Sequence, residues 1–228
     1  QCLLWDAGDS EDRAQFEDNM TKGVTMMARL NAAGYQAMAL GNAIALSYGP
    51  QAIAAEAEEA RFPILAANFC RADGSPVPGP KPYHIFDWGG PPATERLRLG
   101  VIGLTTDFRG MAYQFFGVDA GNPVGAVRSL LPELRGQGVN LIAVLSHIGS
   151  TEDQALAQAV PEIAFIVGGH DHKELHEPLV VGQTIIIQAG DYGRFLGRLD
   201  LEIDPVAGRV IAHRGQLIPV TDDIPPDP

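Results

Sequence analysis

Two histidines, His170 and His172, lie two positions apart in the stretch 166–175, IVGGHDHKEL. They follow the apolar run EIAFIV, which has the composition of a buried strand, and a Gly-Gly pair that lets the chain turn sharply. Residues i and i+2 of an extended segment point to the same side, so both imidazoles can face one cleft at the strand's end. Two such rings suit a pair of adjacent metal ions, although a polar loop that happens to hold two histidines fits the same stretch.

Polar side chains also follow other strand-like runs. They are Asp6 and Asp9 after CLLW, Asn42 after AMALG, His147 after AVLS and Asp191 after IIQAG. Ligands of open α/β sheets collect beyond the carboxyl ends of the strands, and a donor set of oxygens and imidazoles without a thiolate suits Mn, Fe, Zn, Ni or Co. Taken singly, each residue also fits a structural role. Asp6 fits a turn or cap, Asn42 a plain turn, and His147 a hydrogen-bonded core histidine.

The elements that must position these residues alternate between short apolar runs and helical patterns. Strands are predicted in CLLW, QAMAL, PILAAN, RLGVIGL, LIAVLSH, EIAFIVGG and TIIIQAG, and helices in GVTMMARLNAAG, GPQAIAAEAEEAR, PVGAVRSLLPELRGQG and STEDQALAQAV. This alternation predicts an α/β fold with helices on the faces of a sheet. GRLDLEID and GRVIAHRGQLIPV are predicted as antiparallel strands, and RADGSPVPGPKPYH as a surface loop.

Composition narrows the class of protein. The 228 residues are enough for one large α/β domain, and 46% hydrophobic with 19% charged residues is a globular balance. The net charge of −12 argues against a nucleic-acid polymer or an anionic membrane as the main partner. The only cysteines, Cys2 and Cys70, form neither a disulfide framework nor a Cys-rich zinc site. No G-x-G-x-x-G follows a strand, which disfavours a dinucleotide-binding domain.

Four blocks in a fixed order resemble the N-terminal domain of the 5'-nucleotidase and UDP-sugar hydrolase family, within the calcineurin-like metallophosphoesterases. The family order is GD, GNH, a strand-end H, and GHxH. This chain has DAGD (6–9), ALGN (39–42), LSH (145–147) and GGHDH (168–172). The text between is similar too, as in NMTKG, GYQAMALGN, RFPILAANF, GVIGLTTD and QAGDYGRFLGRLDLEID. The likeness covers nearly the whole chain.

The resemblance implies a four-layer sandwich of two mixed sheets flanked by helices over residues 1–219, with 220–228 as a linker towards a C-terminal domain. It implies a pair of divalent metals that polarise a phosphate ester and lower the pKa of an attacking water. In this sequence Asp9 would bridge the metals, Asn42, His147 and His170 would complete one site, and His172 would bind the other. The resemblance also favours an exported or periplasmic location and a small phosphate ester as the partner.

The sequence departs from the family pattern in three places. The family's D-x-H block precedes CLLWDAGD, where this chain has no residues, so we expect an upstream segment or a partner chain to complete the sheet. In GNAIALSYG (41–49), expected to be a loop, Ala43 replaces a histidine that aids the phosphate or leaving group, and Ile44 replaces an acidic residue. The chain also stops where the family's C-terminal domain would begin.

These observations lead to two hypotheses. The first is a metal-dependent phosphoesterase of nucleotides or sugar nucleotides that binds at most one metal well and turns over weakly, since losing a general acid costs about 10² to 10⁴ in rate. The alternative is a degenerate relative that acts as a non-enzymatic subunit or scaffold.

Overall fold

The structure is a computed structural model that describes residues 2–11, 14–89, 96–107 and 110–225. The described helices are α1 (Phe16–Thr21), α2 (Val24–Ala33), α3 (Asn42–Tyr48), α4 (Pro50–Glu59), α5 (Gly110–Phe115), α6 (Pro123–Gly136) and α7 (Ser150–Ala159). The described strands are β1 (Trp5–Asp6), β2 (Ala37–Ala39), β3 (Ile64–Leu65), β4 (Phe69–Arg71), β5 (Tyr83–Trp88), β6 (Leu97–Thr105), β7 (Val118–Ala120), β8 (Leu141–His147), β9 (Phe165–Gly168), β10 (Leu179–Val181), β11 (Thr184–Gln188), β12 (Phe195–Asp204) and β13 (Arg209–Pro219).

Two sheets carry the fold. The smaller one is parallel and has the order β1-β2-β3. The larger one has the order β10-β11-β9-β8-β6-β5, with four parallel central strands and antiparallel strands at both edges. β12 and β13 form a long antiparallel hairpin, and β4 pairs with β7. The carboxyl ends of the parallel strands are therefore available in both sheets for one site.

Three apolar clusters separate four layers. Met27, Ile44 and Ile53 represent the cluster that packs α2, α3 and α4 against the smaller sheet. A second cluster packs α6 and α7 against one face of the larger sheet. The third lies between the sheets and includes Ala39 from β2 and Leu145 from β8. Burial of these three clusters is the main stabilising contribution to the sandwich.

Local signals define the helix ends that flank the sheets. The side chain of Asn122 accepts a hydrogen bond from the Gly125 amide at 2.8 Å and so caps the start of α6, which has Pro123 in its first turn. Gly34 ends α2 with a φ of 80°, a conformation that glycine adopts at low cost.

The predicted four-layer α/β fold is confirmed, as is the antiparallel pairing of the last two long strands. The loop predicted for RADGSPVPGPKPYH is correct only in its middle, because Tyr83 and His84 begin β5. The sequence analysis did not predict β5. Its run YHIFDW has no regular alternation of polar and apolar residues, and pairing with β6 makes it a strand.

The prediction of a loop at 41–49 is wrong, because Asn42–Tyr48 form α3. The run AIAL has good helix formers, and Ile44 and Ala45 are buried in the apolar cluster above the smaller sheet. Gly49, with a φ of 75°, separates α3 from α4. The segment after Asn42 is therefore packed in place by the core.

Three further observations concern the two ends of the chain and the question of a membrane-spanning helix. Trp5 and Asp6 form an edge strand, and no other described strand pairs with the far side of β1. An upstream segment or partner chain at this edge stays a prediction. Of the expected linker, residues 220–225 form no helix or strand, and 226–228 lie outside the described residues. None of the described helices combines the length and apolar character needed to cross a bilayer.

Candidate metal centre

The five predicted ligands all lie at or just beyond the carboxyl ends of parallel strands. Asp9 follows β1 and Asn42 begins α3 after β2, both in the smaller sheet. His147 is the last residue of β8, and His170 and His172 follow β9, both strands of the larger sheet. The ligand-binding edge of the two sheets is thus shared, as expected for open α/β folds.

Glycines let the strand ends from the two sheets approach each other. A Cβ on Gly41 would lie 2.0 Å from Oδ1 of Asp9, and a Cβ on Gly8 would lie 2.8 Å from Nδ1 of His147. Gly8 and Asp9 also have φ values of 93° and 60°. A side chain at either glycine would displace a predicted ligand.

His147 is at the centre of the site. Its Nε2 lies 3.1 Å from Oδ2 of Asp9 and 3.2 Å from Oδ1 of Asn42, and its Nδ1 lies 2.6 Å from the Ala7 carbonyl oxygen. The ring is 2% exposed. All three partners present oxygen acceptors, so both ring nitrogens act as donors in this arrangement.

The charges of this cluster follow from the same contacts. Burial opposes ionisation of Asp9, but hydrogen bonds from His147 and the Ala43 amide, together with the His147 charge, lower its pKa below the ordinary value. Burial likewise opposes the charged form of His147, but Asp9 and the Ala7 carbonyl raise its pKa above the ordinary value. The pair therefore favours a carboxylate beside a cation.

His170 contacts this pair from the larger sheet. Its ring centroid lies 5.2 Å from that of His147, at an interplanar angle of 63°. Burial and then the charge of His147 lower the pKa of His170, which favours the neutral imidazole that can bind a metal. Its φ of 86° is unusual for a residue other than glycine and aims the side chain out of the strand direction.

His172 has a different partner. Its Nδ1 lies 3.3 Å from Oδ2 of Asp191, and its ring centroid lies 6.0 Å from that of Tyr192. The side chain is 57% exposed. Asp191 also accepts a hydrogen bond from Arg194. The structure thus brings Asp9, Asn42, His147 and His170 together, and it places His172 beside Asp191 at the rim.

Sequence comparison adds the relationship to known proteins. No protein-family model matches the sequence. The chain is 31% identical to the 5'-nucleotidase of Homo sapiens, over 99% of this chain and 42% of that protein. It is 29% identical to the uncharacterized metallophosphoesterase YunD of Bacillus subtilis, over 90% of this chain and 43% of that protein. The solved 5'-nucleotidase precursor of Thermus thermophilus is 31% identical with a TM-score of 0.79, over 95% of this chain and 45% of that one.

This chain is a homologue of the 5'-nucleotidase metallophosphoesterases. The resemblance given by the four sequence blocks is confirmed. The chain spans less than half the length of the curated relatives that it matches.

The residues present fit the chemistry of one divalent cation. Oδ2 of Asp9 and Oδ1 of Asn42 converge on the Nε2 of His147, and a cation could replace the proton there and satisfy the same acceptors. The Ala7 carbonyl fixes the ring through Nδ1, as partners of metal-binding histidines commonly do. The fit is one of donor chemistry, because the donors lie at hydrogen-bond distances from one another. In the described ranges no group of three or more His, Cys, Asp and Glu side chains has metal-site geometry.

The sequence analysis did not predict the contacts of two carboxylates near the site, those of Asp191 and Asp171. Asp191 was noted only as a polar residue after a strand, and its pairing with His172 was not predicted. Asp6 has the turn role that was weighed for it, since it accepts from the Gly8 amide at 2.7 Å and the Ser10 hydroxyl at 2.5 Å. Asp171, between the two histidines, is held by residues from two other elements, which spacing along the chain does not reveal.

Proposed function

We propose that this chain is the metal-binding part of a phosphoesterase that hydrolyses nucleotide or sugar-nucleotide phosphate esters. One observation carries the proposal most directly. Asp9 and Asn42, from one sheet, converge on Nε2 of His147, from the other. The human relative is named a 5'-nucleotidase, which supports a small nucleotide phosphate as the substrate. The Thermus relative is described as a precursor, which supports an exported or periplasmic location.

Asp9, Asn42, His147 and His170 would hold one divalent metal, which could be Mn, Zn, Fe, Co or Ni. By resemblance, Asp9 would be shared with a second metal, for which the four sequence blocks supply only His172 besides. When bound, such a cation polarises phosphoryl oxygens and lowers the pKa of a water molecule. We therefore propose that these residues retain at most one metal firmly.

The chain's own residues prepare the site for a phosphate ester. The Ala7 carbonyl orients the His147 ring, and the Ala43 amide donates to Oδ1 of Asp9 at 2.7 Å and so fixes the carboxylate. Asp9 and Asn42 lie on the opposite side of the ring from Ala7. This preorganisation reduces the rearrangement needed when a cation and an anionic substrate bind.

Assistance to the leaving group is the weak part of the site. Ala43 stands where the family has a helper histidine, and its methyl group can neither donate a proton nor form a hydrogen bond. Ser47 and Tyr48 lie nearby in sequence, but hydroxyl groups with an ordinary pKa of about 10 or more are poor acids at neutral pH. We therefore propose slow turnover.

A second candidate function is a subunit or scaffold without catalysis. Two residues favour it. Ala43 replaces the family's helper histidine, and Ile44, where the family has an acidic residue, is buried in the apolar core. This candidate shares the fold and the cluster around His147. It differs in predicting no metal-dependent release of phosphate.

Phosphate release from a nucleoside monophosphate, a sugar nucleotide and an aryl phosphate separates the two candidates. With added Mn²⁺, Zn²⁺ or Co²⁺ we expect slow, metal-dependent release that is lost in His147→Ala. The matched control is His213→Ala, which removes an exposed histidine on β13 and should leave the rate unchanged. No release by a metal-loaded chain supports the subunit, whereas fast turnover contradicts the proposed impairment.

A further inference from the structure

Asp171 accepts hydrogen bonds from Ser150 and Gln188, neither of which is among the proposed metal ligands. It lies between His170 and His172, the two histidines of the loop after β9. Its Oδ2 accepts from the Ser150 amide at 3.1 Å and from the Ser150 hydroxyl at 2.6 Å. Its Oδ1 accepts from Nε2 of Gln188 at 2.6 Å. Both carboxylate oxygens are therefore engaged by the scaffold.

The donors to Asp171 come from two rigid elements. Ser150 is the first residue of α7 and is fully buried, and Gln188 is the last residue of β11 and is 2% exposed. β11 pairs with β9 in parallel, and Gln188 lies opposite Gly168 at the end of β9. Asp171 thus ties the loop to the helix before β9 and to the strand beside it.

The backbone of the loop needs such a tie. His170 and His172 have φ values of 86° and 60°, in the left-handed region that residues with a side chain seldom adopt. Strain of this kind persists where surrounding contacts determine the conformation. The Asp171 carboxylate lies between the two residues and accepts three hydrogen bonds, which hold the loop in this conformation. Hydrogen bonds to a charged group are stronger than those between neutral groups.

The exposed Lys173 side chain does not account for the position of the Asp171 carboxylate. Lys173 approaches Oδ2 of Asp171 only at 4.0 Å, and its side chain is 52% exposed. Such a surface pair contributes little. The burial of Ser150 and Gln188 instead means that their hydrogen-bonding groups depend on Asp171, as does the position of the loop.

We propose that Asp171 is a positioning residue that turns the His170 ring towards His147. By accepting from Ser150 and Gln188, it holds the loop in the conformation that gives the 5.2 Å separation of the two rings. The inference deepens the proposed function, because His170 is one of the four donors assigned to the metal. It can be tested apart from metal binding, because the contact between the two rings can be followed in protein stripped of metal.

Asp171→Ala tests the proposal, with Asp73→Ala as a matched control. Asp73 accepts from the Ser75 amide at 2.9 Å and from the Ser75 hydroxyl at 2.6 Å, so it makes the same kind of contact in an exposed turn. Proton NMR of the metal-free protein, with the His170 signals assigned through His170→Gln, reports on the contact with His147. Titration calorimetry with Mn²⁺ reports on affinity, and thermal unfolding on stability.

We expect Asp171→Ala to shift the His170 ring signals and to weaken Mn²⁺ binding by about 10-fold to 100-fold, the usual effect of losing a partner that orients a ligand. Asp73→Ala should change neither. Unchanged His170 signals and unchanged affinity in a folded Asp171→Ala protein would overturn the proposal.

Two further variants cover the case in which Asp171→Ala does not fold. Ser150→Ala removes the hydroxyl and keeps the amide, and Asp171→Asn keeps one acceptor oxygen. Both variants should shift the His170 signals, though by less than full removal of the carboxylate does. If neither variant shifts these signals, the proposal is overturned. If the wild-type protein binds no Mn²⁺, the proposed function fails, and the His170 signals still decide the role of Asp171.

Discussion

The ring of His147 is contacted by oxygen acceptors of three residues from two segments of the chain. Ala7 contacts Nδ1, and Asp9 and Asn42 contact Nε2. Raising the pKa of the ring and lowering that of the Asp9 carboxyl are two results of the same geometry. At the scale of single residues, these acceptors favour a positive charge at the ring, and the side chain of Ala43 beside it has no proton to donate.

The variant Ala43→His tests whether the missing imidazole limits turnover. Ala43 is partly exposed near the start of α3, and its amide already contacts Asp9, so a side chain there lies beside the proposed centre. We expect the metal-loaded variant to release phosphate faster by about 10². Ala43→Phe is the control, since it adds an aromatic ring without an acid. Equal rates in the two variants would show that ring size, and not proton donation, matters.

At the scale of elements, α7 places a carboxyl group where water cannot reach it. Asp153 is fully buried and accepts from the Ser146 hydroxyl at 2.5 Å, whereas its Oδ2 has no hydrogen-bond partner among the described residues. A Cβ on Gly168 would lie 2.5 Å from that oxygen, so β9 packs closely against it. Burial raises the pKa of Asp153 to about 7.

Asp153→Asn should therefore make stability less dependent on pH. The folded pKa lies above the ordinary value of 3.8, so stability from this group is complete below about pH 4 and is lost as pH rises to about 7. Asparagine stays neutral, so we expect the variant to exceed the wild type at pH 8 by roughly 1–4 kcal/mol. Urea unfolding of both proteins at pH 4 and pH 8 measures this. A variant that is less stable at pH 8 would contradict the assignment.

Much of the element pattern could be predicted because each central strand is a continuous apolar run. LIAVLSH and the run before GGHDH needed no partner to be recognised. α3 was missed because its helical character depends on Ile44 packing into the core above the smaller sheet. The contact of His172 with Asp191 was missed because loop geometry, and not spacing, selects the partner.

The predicted ligands themselves could be placed at strand ends from the sequence, but not their contacts. Asp9 and His147 meet because two different sheets end at the same edge, which depends on the whole fold. The role of Asp171 depends on Ser150 and Gln188, which are 21 and 17 positions away. Hydrogen bonds between residues so far apart in the chain leave no pattern in the local sequence from which they could be predicted.

At the scale of the whole molecule, the four layers bring the two sheets' carboxyl ends to one edge. The chain is homologous to the human 5'-nucleotidase and to YunD of Bacillus subtilis, and it spans less than half the length of each. Its net charge of −12 is compatible with binding a cation and unfavourable for nucleic-acid polymers. Within the described residues, Asp9 and Asn42 contact Nε2 of His147, the His170 ring lies 5.2 Å from the His147 ring, and His172 contacts Asp191 at the rim.

Metal stoichiometry is the most direct test of this account. The purified protein would be stripped of metal with a chelator, reloaded with Mn²⁺ or Zn²⁺ and freed of excess metal. The molar ratio of metal to protein would then be measured by inductively coupled plasma mass spectrometry. We predict no more than one firmly held equivalent, lost in Asp9→Asn and His147→Ala and retained in His213→Ala. Two tightly held equivalents, or one that survives the loss of His147, would contradict a single centre built on Asp9, Asn42, His147 and His170.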